Sequence, residues 1–382
     1  GVKSGDVVAL FAENSPRWLI IDQAIMRVGA IDAVRGASAP VEELRYILED
    51  SRAVGLIVQS SELLEKLDLN QAQLNKLKLI VQLEGVPSDE ERVMGWDSFL
   101  SENSDKTHID PINVHSDYQS SNKIATILYT SGTTGNPKGA LHAHRFLLGH
   151  LPNIEISHQG FPKDQDKGWT PADWAWIGGL MDLALPCLYY GVPLVSYRQL
   201  KFDPEATFQF IADHQIRNMF LPPTALKLMR SYHMTAERLP VLSVRTIASG
   251  GEALGSSLLG WARKILNVEV NEIYGQTECN LVICTDRSVD KTVPDGAMGK
   301  AVPGHKLCIL TPDGHEAEIG EVGEIAVQAP DPVMFLGYWN KPEDTQEKIK
   351  QGWLLTGDLG RQDENGFFSF VARDDDIITS SG

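Results

Sequence analysis

The chain has 382 residues, of which 42% are hydrophobic and 22% are charged. This composition excludes a disordered or collagen-like protein, and the length predicts two or three structural units. The 34 Lys and Arg residues are outnumbered by 51 Asp and Glu residues, which gives a net charge of −17 at pH 7. Because nucleic acid and anionic membranes bind basic surfaces, this balance argues against either as the main partner. An anionic substrate therefore needs a local pocket of hydrogen-bond donors.

Cysteine usage and hydropathy indicate a cytoplasmic protein without a membrane span. The four cysteines form no C-x-x-C pair and are too few for a disulfide framework in a chain of this length, which favours a reducing cytoplasm. The most apolar window, residues 177–195, contains Asp182, two prolines and three glycines, so we expect buried core rather than a transmembrane helix. The first six residues contain no secretory signal pattern, and we expect the chain to start within a domain.

Strand and helix patterns alternate in the first part of the chain. The apolar run 7–11 predicts a strand, and Ser15 followed by Pro16 predicts the start of a helix that ends near residue 28. A second helix is predicted after Pro40, where apolar residues recur at helical spacing. Further strands are predicted at residues 54–58, 79–83 and 124–128. This order predicts a parallel sheet.

The same alternation continues in the second part of the chain. It predicts helices from Asp203 and from residues 222–224, and strands at 216–221, 244–248 and 268–274. After about residue 296 the pattern changes to short strands joined by turn signals such as P-D-G and E-N-G. We therefore expect a small antiparallel or barrel-like unit at the end of the chain.

The strongest local signal is the segment Y-T-S-G-T-T-G-N-P-K-G at residues 129–139, directly after a predicted strand. Its glycines allow backbone N–H groups to approach an anion, its hydroxyls add donors, and Lys138 adds a positive charge. The segment is not a Walker loop, because Lys138 lies between a proline and a glycine. A solvated turn is the alternative, but the length of the string favours a phosphate-binding loop.

This segment resembles the phosphate-binding motif of the AMP-forming adenylating superfamily, which contains acyl-CoA synthetases, luciferases and peptide-synthetase adenylation domains. Four further motifs of that family follow in order: S-G-G-E-A at 249–253, Y-G-Q-T-E at 274–278, T-G-D at 356–358 and R-D-D-D-I-I at 373–378. In the family these lie along adenine and the acyl pocket, at the nucleotide, at the ribose and at a hinge. Five motifs in this order cover most of the chain and are highly specific.

The resemblance implies an α/β fold, the large N-terminal domain of the acyl-adenylating fold, truncated at both ends. It implies two doubly wound β-α lobes and a small β-barrel-like subdomain. We place the first lobe at residues 1–150, the second at 151–295, the β subdomain at 296–372 and the hinge at 373–382, with Asp375 as the hinge residue. Relatives continue into a C-terminal domain with a catalytic lysine. We therefore expect these 382 residues to bind nucleotide and acyl adenylate, but to form adenylate slowly and thioester hardly at all.

The resemblance also implies which residues bind the nucleotide. They are Thr130, Ser131, Gly132, Thr133, Thr134, Gly135, Lys138, Gly251, Glu252, Ala253, Tyr274, Gly275, Gln276, Thr277, Asp358 and Arg373. The residue types fit these roles: the Asp358 carboxylate can accept hydrogen bonds from both hydroxyls of a ribose diol, and the Tyr274 ring can flank adenine. Judged from composition alone, Asp358 is more typical of a turn cap, and Arg373 beside three aspartates is more typical of a solvated ion pair.

Metal, catalytic and substrate residues follow from the same resemblance. Glu278 is implied as the Mg²⁺ ligand, since Mg²⁺ needs only one or two carboxylates beside phosphate oxygens and water. Lys138, Thr277 and His144 are implied as catalytic, and a structural role is the alternative for His144. Substrate binding is implied for Trp174, Trp176, Gly178 and Gly250. Plain core packing is nearly as good an interpretation for either tryptophan.

The implied reaction uses ATP, Mg²⁺ and CoA: a carboxylic acid is converted to an acyl adenylate and then to a thioester. Residues 168–382 resemble the medium-chain acyl-CoA synthetases, whereas residues 5–60 resemble the long-chain acyl-CoA and acyl-carrier-protein synthetases. Because the acyl slot is expected in the second part, we favour a short-to-medium fatty acid and CoA. The alternatives are a long-chain fatty acid to acyl-carrier-protein ligase and an inactive nucleotide-binding module. The intact motif residues argue against the inactive module.

Overall fold

The computed structural model describes residues 1–86, 92–104, 121–130, 135–197, 199, 201–232 and 238–373. Its β-strands, in chain order, are β1 (Val7–Phe11), β2 (Ile31–Arg35), β3 (Gly55–Val58), β4 (Leu79–Gln82), β5 (Val93–Gly95), β6 (Ile124–Thr130), β7 (Lys138–Ala143), β8 (Gly168–Trp169), β9 (Asn218–Phe220), β10 (Thr246–Gly250), β11 (Val270–Gln276), β12 (Asn280–Cys284), β13 (Ala297–Ala301), β14 (Leu307–Leu310), β15 (Gly323–Gln328), β16 (Gly337–Tyr338), β17 (Ile349–Lys350), β18 (Trp353–Gln362) and β19 (Phe368–Arg373).

The helices are α1 (Pro16–Arg27), α2 (Val41–Asp50), α3 (Ser61–Leu67), α4 (Gln71–Lys76), α5 (Trp96–Ser104), α6 (Arg145–Ser157), α7 (Ile177–Gly179), α8 (Leu185–Tyr190), α9 (Pro204–Asp213), α10 (Pro223–Ser231), α11 (Ser256–Trp261) and α12 (Pro342–Lys348). Two π-helical segments, Leu180–Ala184 and Ala262–Leu266, continue α7 and α11. The residues of the first π segment are buried, as expected for the apolar window 177–195. In the described part of the chain, no helix has the length and hydrophobicity that crossing a membrane requires.

The first unit comprises residues 1–145, 173–176 and 335–342. Its sheet has the strand order β16-β7-β6-β2-β1-β3-β4-β5. The run from β6 to β5 is parallel, as the alternating pattern predicts, whereas β7 and β16 form an antiparallel edge. All five residues of β1 are buried, as in a parallel strand covered on both faces. Helix α1 starts where predicted, because the Ser15 hydroxyl accepts a hydrogen bond from the Trp18 amide and Pro16 occupies the first turn.

The second unit comprises residues 146–172, 177–334 and 343–382. Its strands follow the order β14-β15-β18-β19-β13-β12-β11-β10-β9-β8, with β17 paired to β18. Strands β8 to β11 are parallel, and the strands from β12 onward are antiparallel. The mixed α/β fold class with antiparallel strands at the end of the chain is therefore confirmed. The division at residues 150, 295 and 372 stays a prediction.

Several predicted strands begin two residues later than the hydrophobic pattern suggests. Strand β10 starts at Thr246 and β11 at Val270, although the apolar runs begin at Val244 and Val268. These two valines pack against the core of the second unit before strand pairing begins. Burial thus extends the apolar run beyond the hydrogen-bonded strand, and hydropathy alone does not separate the two.

Candidate nucleotide site

The hairpin of β11 and β12 carries the Y-G-Q-T-E motif in the second unit. The two strands are antiparallel, with a register shift between Tyr274 and Gly275. A side chain at Gly275 would overlap the backbone oxygen of Asn280, so only glycine fits at this irregularity. Tyr274 and Gln276 lie two residues apart in β11, and both side chains reach Asp358.

Strand β18 carries the T-G-D motif. Gly357 has a φ of +74°, a conformation that favours glycine, and its amide donates to the Glu324 carboxylate at 2.7 Å. The Thr356 hydroxyl donates to the backbone oxygen of Ile325 at 2.7 Å, and the Asp358 amide donates to that hydroxyl at 3.1 Å. These bonds fix the backbone on both sides of Asp358, whose residue exposure is 5%.

Three side chains from separate motifs converge on the Asp358 carboxylate. The Tyr274 hydroxyl donates to Oδ2 at 2.8 Å, and the Gln276 amide donates to the same oxygen at 2.6 Å. Nε of Arg373 donates to Oδ1 at 3.1 Å. We call Tyr274, Gln276, Thr356, Asp358 and Arg373 the Asp358 cluster. A carboxylate has about four acceptor sites, and these three donors use three of them. One ligand hydroxyl can therefore donate to the remaining site, whereas a second hydroxyl has to displace a protein donor or share its site.

Burial and nearby charges determine the protonation state of Tyr274 and the charge around the Asp358 cluster. Burial, followed by the nearby charge of Asp358, raises the pKa of Tyr274 well above its usual value. The phenol therefore remains a hydrogen-bond donor at any physiological pH. Lys348 adds a positive charge beside the cluster, because its ammonium donates to the backbone oxygen of Thr356 at 3.0 Å. No sequence motif marks Lys348; only the tertiary structure identifies it.

Thr277 and Glu278 lie in the turn that follows β11, and both are half-buried. Among the described residues there is no group of three or more His, Cys, Asp or Glu side chains arranged to hold a metal ion. A dedicated all-protein Mg²⁺ cage is therefore not formed by that part of the chain. The single Glu278 carboxylate fits an ion whose remaining ligands are phosphate oxygens and water, as Mg²⁺ prefers.

The S-G-G-E-A segment follows the carboxyl end of β10. A side chain at Gly250 would overlap the backbone oxygen of Ile273, and Gly251 has a φ of +98°. Glu252 and Ala253 are exposed, and the Glu252 carboxylate lies 2.6 Å from the Lys227 ammonium. An exposed ion pair of this kind stabilises a fold by about 0 to 1 kcal/mol.

The phosphate-loop segment lies in the first unit, between β6 and β7. The strands pair Thr130 with Lys138, and the Thr130 hydroxyl donates to the backbone oxygen of Lys138 at 3.3 Å. The Lys138 ammonium lies 5.4 Å from the ring centroid of Tyr338, within the range of a cation–π contact. Gly135 has a φ of +124°. The other predicted loop residues, Ser131, Gly132, Thr133 and Thr134, and the hinge residue Asp375 lie outside the described residues.

The base of the β6–β7 hairpin is anchored by contacts that the sequence does not reveal. The Tyr129 hydroxyl donates to the Asp50 carboxylate at 2.8 Å, and the Trp339 indole donates to the Asp50 backbone oxygen at 2.9 Å. Burial raises the pKa of Tyr129, so this bond persists over the whole physiological pH range. The two bonds tie β6 and the segment after β16 to the end of α2.

The predicted substrate residues differ in their surroundings. In the first unit, Trp174 is buried and packs edge-to-face on Trp18, with ring centroids 5.8 Å apart. Trp176 is 40% exposed, and the Arg35 guanidinium lies 4.5 Å from its ring centroid. In the second unit, a side chain at Gly178 would meet the Phe220 ring at 3.2 Å. Trp174 thus makes the core packing contact that its alternative interpretation predicts, whereas Trp176 is accessible.

His144 is half-buried in the first unit. Burial, and secondarily the charge of Lys123, lowers the pKa of this imidazole. At neutral pH it is therefore uncharged, with one donor and one acceptor nitrogen. His142, two residues earlier, is fully buried in β7.

Comparisons with known proteins agree with these motifs. The sequence model of a protein family described as AMP-binding enzyme matches residues 1–339. The chain is 29% identical to the uncharacterized acyl-CoA ligase YtcI of Bacillus subtilis and 28% identical to acyl-coenzyme A synthetase ACSM2 of Rattus norvegicus. Each match covers the whole chain, which spans 69% of the first protein's length and 64% of the second's.

A solved structure gives the same fold. The anthranilate CoA ligase AuaEII, in complex with anthranoyl-AMP, superposes with a TM-score of 0.86 and 24% identity. The match covers 100% of this chain and 71% of that one. At this identity the likeness establishes the fold alone.

Proposed function

We propose that this chain, which belongs to the AMP-binding enzyme family, acts in an AMP-forming acyl-CoA ligase. In the first step a carboxylate oxygen of the acid attacks the α-phosphorus of ATP, the bond to the bridging oxygen breaks, and pyrophosphate leaves. In the second step the CoA sulfur attacks the acyl carbon, the thiol proton is released, and AMP leaves. The relatives named as acyl-CoA ligases and synthetases support this reaction class.

The observation that carries the proposal is the Asp358 cluster. Its members come from the second nucleotide motif, the ribose motif and the start of the hinge motif, which are distant in sequence. They meet at one buried carboxylate within hydrogen-bond distance. We propose that Asp358 binds the ribose diol of ATP, and that the Tyr274 ring flanks adenine.

The remaining motif residues take roles that positioning and electrostatics can supply. We propose that Thr277 donates to the α-phosphate, that the 130–135 segment donates hydrogen bonds to the phosphates, and that Lys138 neutralises phosphate charge. We propose further that neutral His144 faces the carboxylate. Glu278 would hold Mg²⁺, which supplies positive charge against the leaving pyrophosphate. The chemistry requires no protein base, because a carboxylate is already a nucleophile and pyrophosphate is a stable leaving group.

We propose a short-to-medium fatty acid as the substrate and CoA as the acceptor, in a cytoplasmic setting. The four cysteines are free and buried in the structure, which supports a reducing location. The candidates for substrate binding remain Trp174, Trp176, Gly178 and Gly250.

Calorimetric titration with non-hydrolysable acyl-adenylate analogues, from acetyl to palmitoyl, tests this function. We expect binding that is tightest at short-to-medium chains. A palmitoyl optimum would favour the long-chain alternative and refute our chain-length proposal. Absence of binding at every length would refute the ligase proposal.

A further inference from the structure

The second unit has a cavity of about 550 Å³ that is separate from the Asp358 cluster. It lies at the amino-terminal ends of parallel strands: Lys167 immediately precedes β8, Arg217 immediately precedes β9, and Ser243 lies shortly before β10. The nucleotide motifs follow the carboxyl ends of β10 and β11 in the same sheet. The cavity therefore lies at the amino-terminal ends of these parallel strands, whereas the proposed nucleotide site lies at their carboxyl ends.

The lining of the inner part of the cavity, together with Arg245 behind it, carries more positive than negative charge. The Asp166 carboxylate is fully buried, and Arg245 neutralises it with two hydrogen bonds of 2.9 and 2.6 Å. Arg245 also donates to the backbone oxygens of His158 and Gln159, so its guanidinium is fully engaged by the protein. A second guanidinium, that of Arg217, approaches the same carboxylate, with its Nε 3.8 Å away. The charge of Arg217 is therefore not balanced by Asp166.

Arg217 is the residue that points to an anionic ligand. Its Nε atom is buried and, within the described part of the chain, has no hydrogen-bond acceptor, because 3.8 Å exceeds a hydrogen-bond distance. The side chain as a whole is 28% exposed and lines the cavity. Because protein atoms cover Nε and the Asp166 carboxylate faces it, a ligand in the cavity would reach Arg217 through the exposed part of the side chain. The planar guanidinium fits phosphate through two parallel hydrogen bonds.

The rim and walls extend the same chemistry. Lys163 and Lys167 line the cavity, and the Lys167 ammonium donates to a neutral group, the backbone oxygen of His214. Asp164 is the one further acidic residue among the lining residues. This local excess of cations contrasts with the net charge of −17 of the whole chain. Such a local excess concentrates anions from solution.

One wall is apolar and aromatic. Tyr190 lines the cavity together with Val192 and Pro193, and its ring packs edge-to-face on Phe161. The Tyr190 hydroxyl donates to the Glu155 carboxylate, which is not among the lining residues. A cavity of this volume accommodates a small metabolite, and its mixed walls suit a ligand with one anionic end and one compact body.

We propose that this cavity binds a small phosphorylated metabolite, with its phosphate on Arg217 and its body against Tyr190. The site is independent of the proposed nucleotide site and does not rest on the ligase reaction. Arg217 and the lysine rim supply the affinity for phosphate, whereas Tyr190 and Val192 favour a planar or apolar body.

Calorimetry with phenyl phosphate as the probe tests the proposal on the full chain. We expect saturable one-to-one binding that persists when the proposed nucleotide site is saturated with an acyl-adenylate analogue. Arg217→Met, which keeps the stem and removes the charge, should weaken binding about tenfold or more, as expected for a hydrogen bond to a charged group. Arg263→Met is the matched control, because Arg263 pairs with Glu269 on the surface away from the cavity, and should leave binding unchanged.

Several results would overturn the proposal. These are absence of saturable binding, displacement of phenyl phosphate by the adenylate analogue, or equal affinities of the Arg217→Met variant and the parent chain. If Arg217→Met fails to fold by circular dichroism, Lys163→Glu on the exposed rim replaces it. That charge reversal should also weaken binding, and unchanged affinity would count against the site.

Discussion

Asp22 and Asp32 form an acidic pair in the core of the first unit, on α1 and β2. Both residues are fully buried, and Gln23 donates to Asp22 at 2.8 Å. Burial raises the pKa of both carboxyls, and the charge of Asp22 raises that of Asp32 further. A carboxyl whose pKa is raised on folding stabilises the folded state most at pH values below its unfolded pKa. This contribution is lost as the pH rises through the folded pKa.

Asp32→Asn should therefore stabilise the protein at neutral pH. The amide carries no charge to desolvate and can donate to Asp22, so we expect the free energy of unfolding at pH 7.5 to rise by about 1 to 3 kcal/mol. At pH 4, where more of the parent carboxyl is protonated, the gain should shrink. Urea unfolding at the two pH values measures both effects. An asparagine variant that is less stable than the parent at pH 7.5 would contradict this account.

The proposed ribose contact can be tested by changing the Asp358 carboxylate and its donor Tyr274 one at a time. Asp358→Asn replaces a charged acceptor of three donors by a neutral amide, and should weaken AMP binding by about 1.5 to 3 kcal/mol. Tyr274→Phe removes one donor but keeps the ring, and should cost less, about 0.5 to 1.5 kcal/mol. Calorimetry measures both losses, with Asp313→Asn in an exposed turn as the control. A larger loss for Tyr274→Phe than for Asp358→Asn would place the ribose elsewhere.

The β11–β12 hairpin is an element whose geometry depends on one glycine. Gly275→Ala puts a methyl group into the backbone of Asn280, and neither strand can move without breaking its pairing with the sheet. We expect a loss of about 3 kcal/mol or more in the free energy of unfolding, measured by urea unfolding. The displaced strand would also separate Tyr274 from Asp358 and reduce AMP binding.

A second glycine provides the matched control for this substitution. Gly260 lies in α11, and a methyl group there has no atom within 4 Å apart from its own helix and chain neighbours. Gly260→Ala should be neutral or stabilise the protein by up to about 1 kcal/mol, because alanine favours a helix. Equal effects of the two substitutions would show that crowding at the hairpin is not the cause.

Local signals predict the elements well, and the reason is visible at particular residues. Ser15 and Asp203 each accept a hydrogen bond from a backbone amide three residues later, and each is followed by a proline in the first helical turn. The apolar run 7–11 becomes β1 without a shift, because all five of its residues pair with β2. These signals can be recognised in the sequence because each depends on residues that are close together along the chain.

Contacts between distant residues explain what the sequence does not predict. The Trp339 indole donates to the backbone of Asp50, 289 residues away along the chain, and Lys348 reaches the backbone of Thr356 from α12. No spacing rule relates these residues. The family resemblance assigns Tyr274, Gln276, Asp358 and Arg373 to nucleotide binding. Only the structure shows that Tyr274 and Gln276 donate to the same Asp358 oxygen.

At the scale of the whole molecule, the sequence does not predict which sheet the last strands of the chain join. The turn-rich segment after residue 296 predicts antiparallel strands, but not their partner. In the structure, β13 pairs with β12 through Ile283 and Ala301, so these strands extend the same sheet that carries β11. This continuity brings Asp358 on β18 to within hydrogen-bond distance of Tyr274 on β11.

The net charge of −17 predicts how ATP association depends on salt. MgATP is also anionic, so long-range repulsion slows its approach at low ionic strength, where the screening length is about 30 Å at 0.01 M. At 0.15 M the length falls to about 8 Å, which removes the repulsion but preserves contacts within the site. We therefore expect the association rate of MgATP, measured by stopped-flow fluorescence, to rise roughly twofold to tenfold between 10 and 150 mM NaCl. Uncharged adenosine should show no such rise. A rate that falls with salt would mean that local cations such as Lys138 and Arg373, rather than the acidic chain as a whole, govern the approach of the nucleotide.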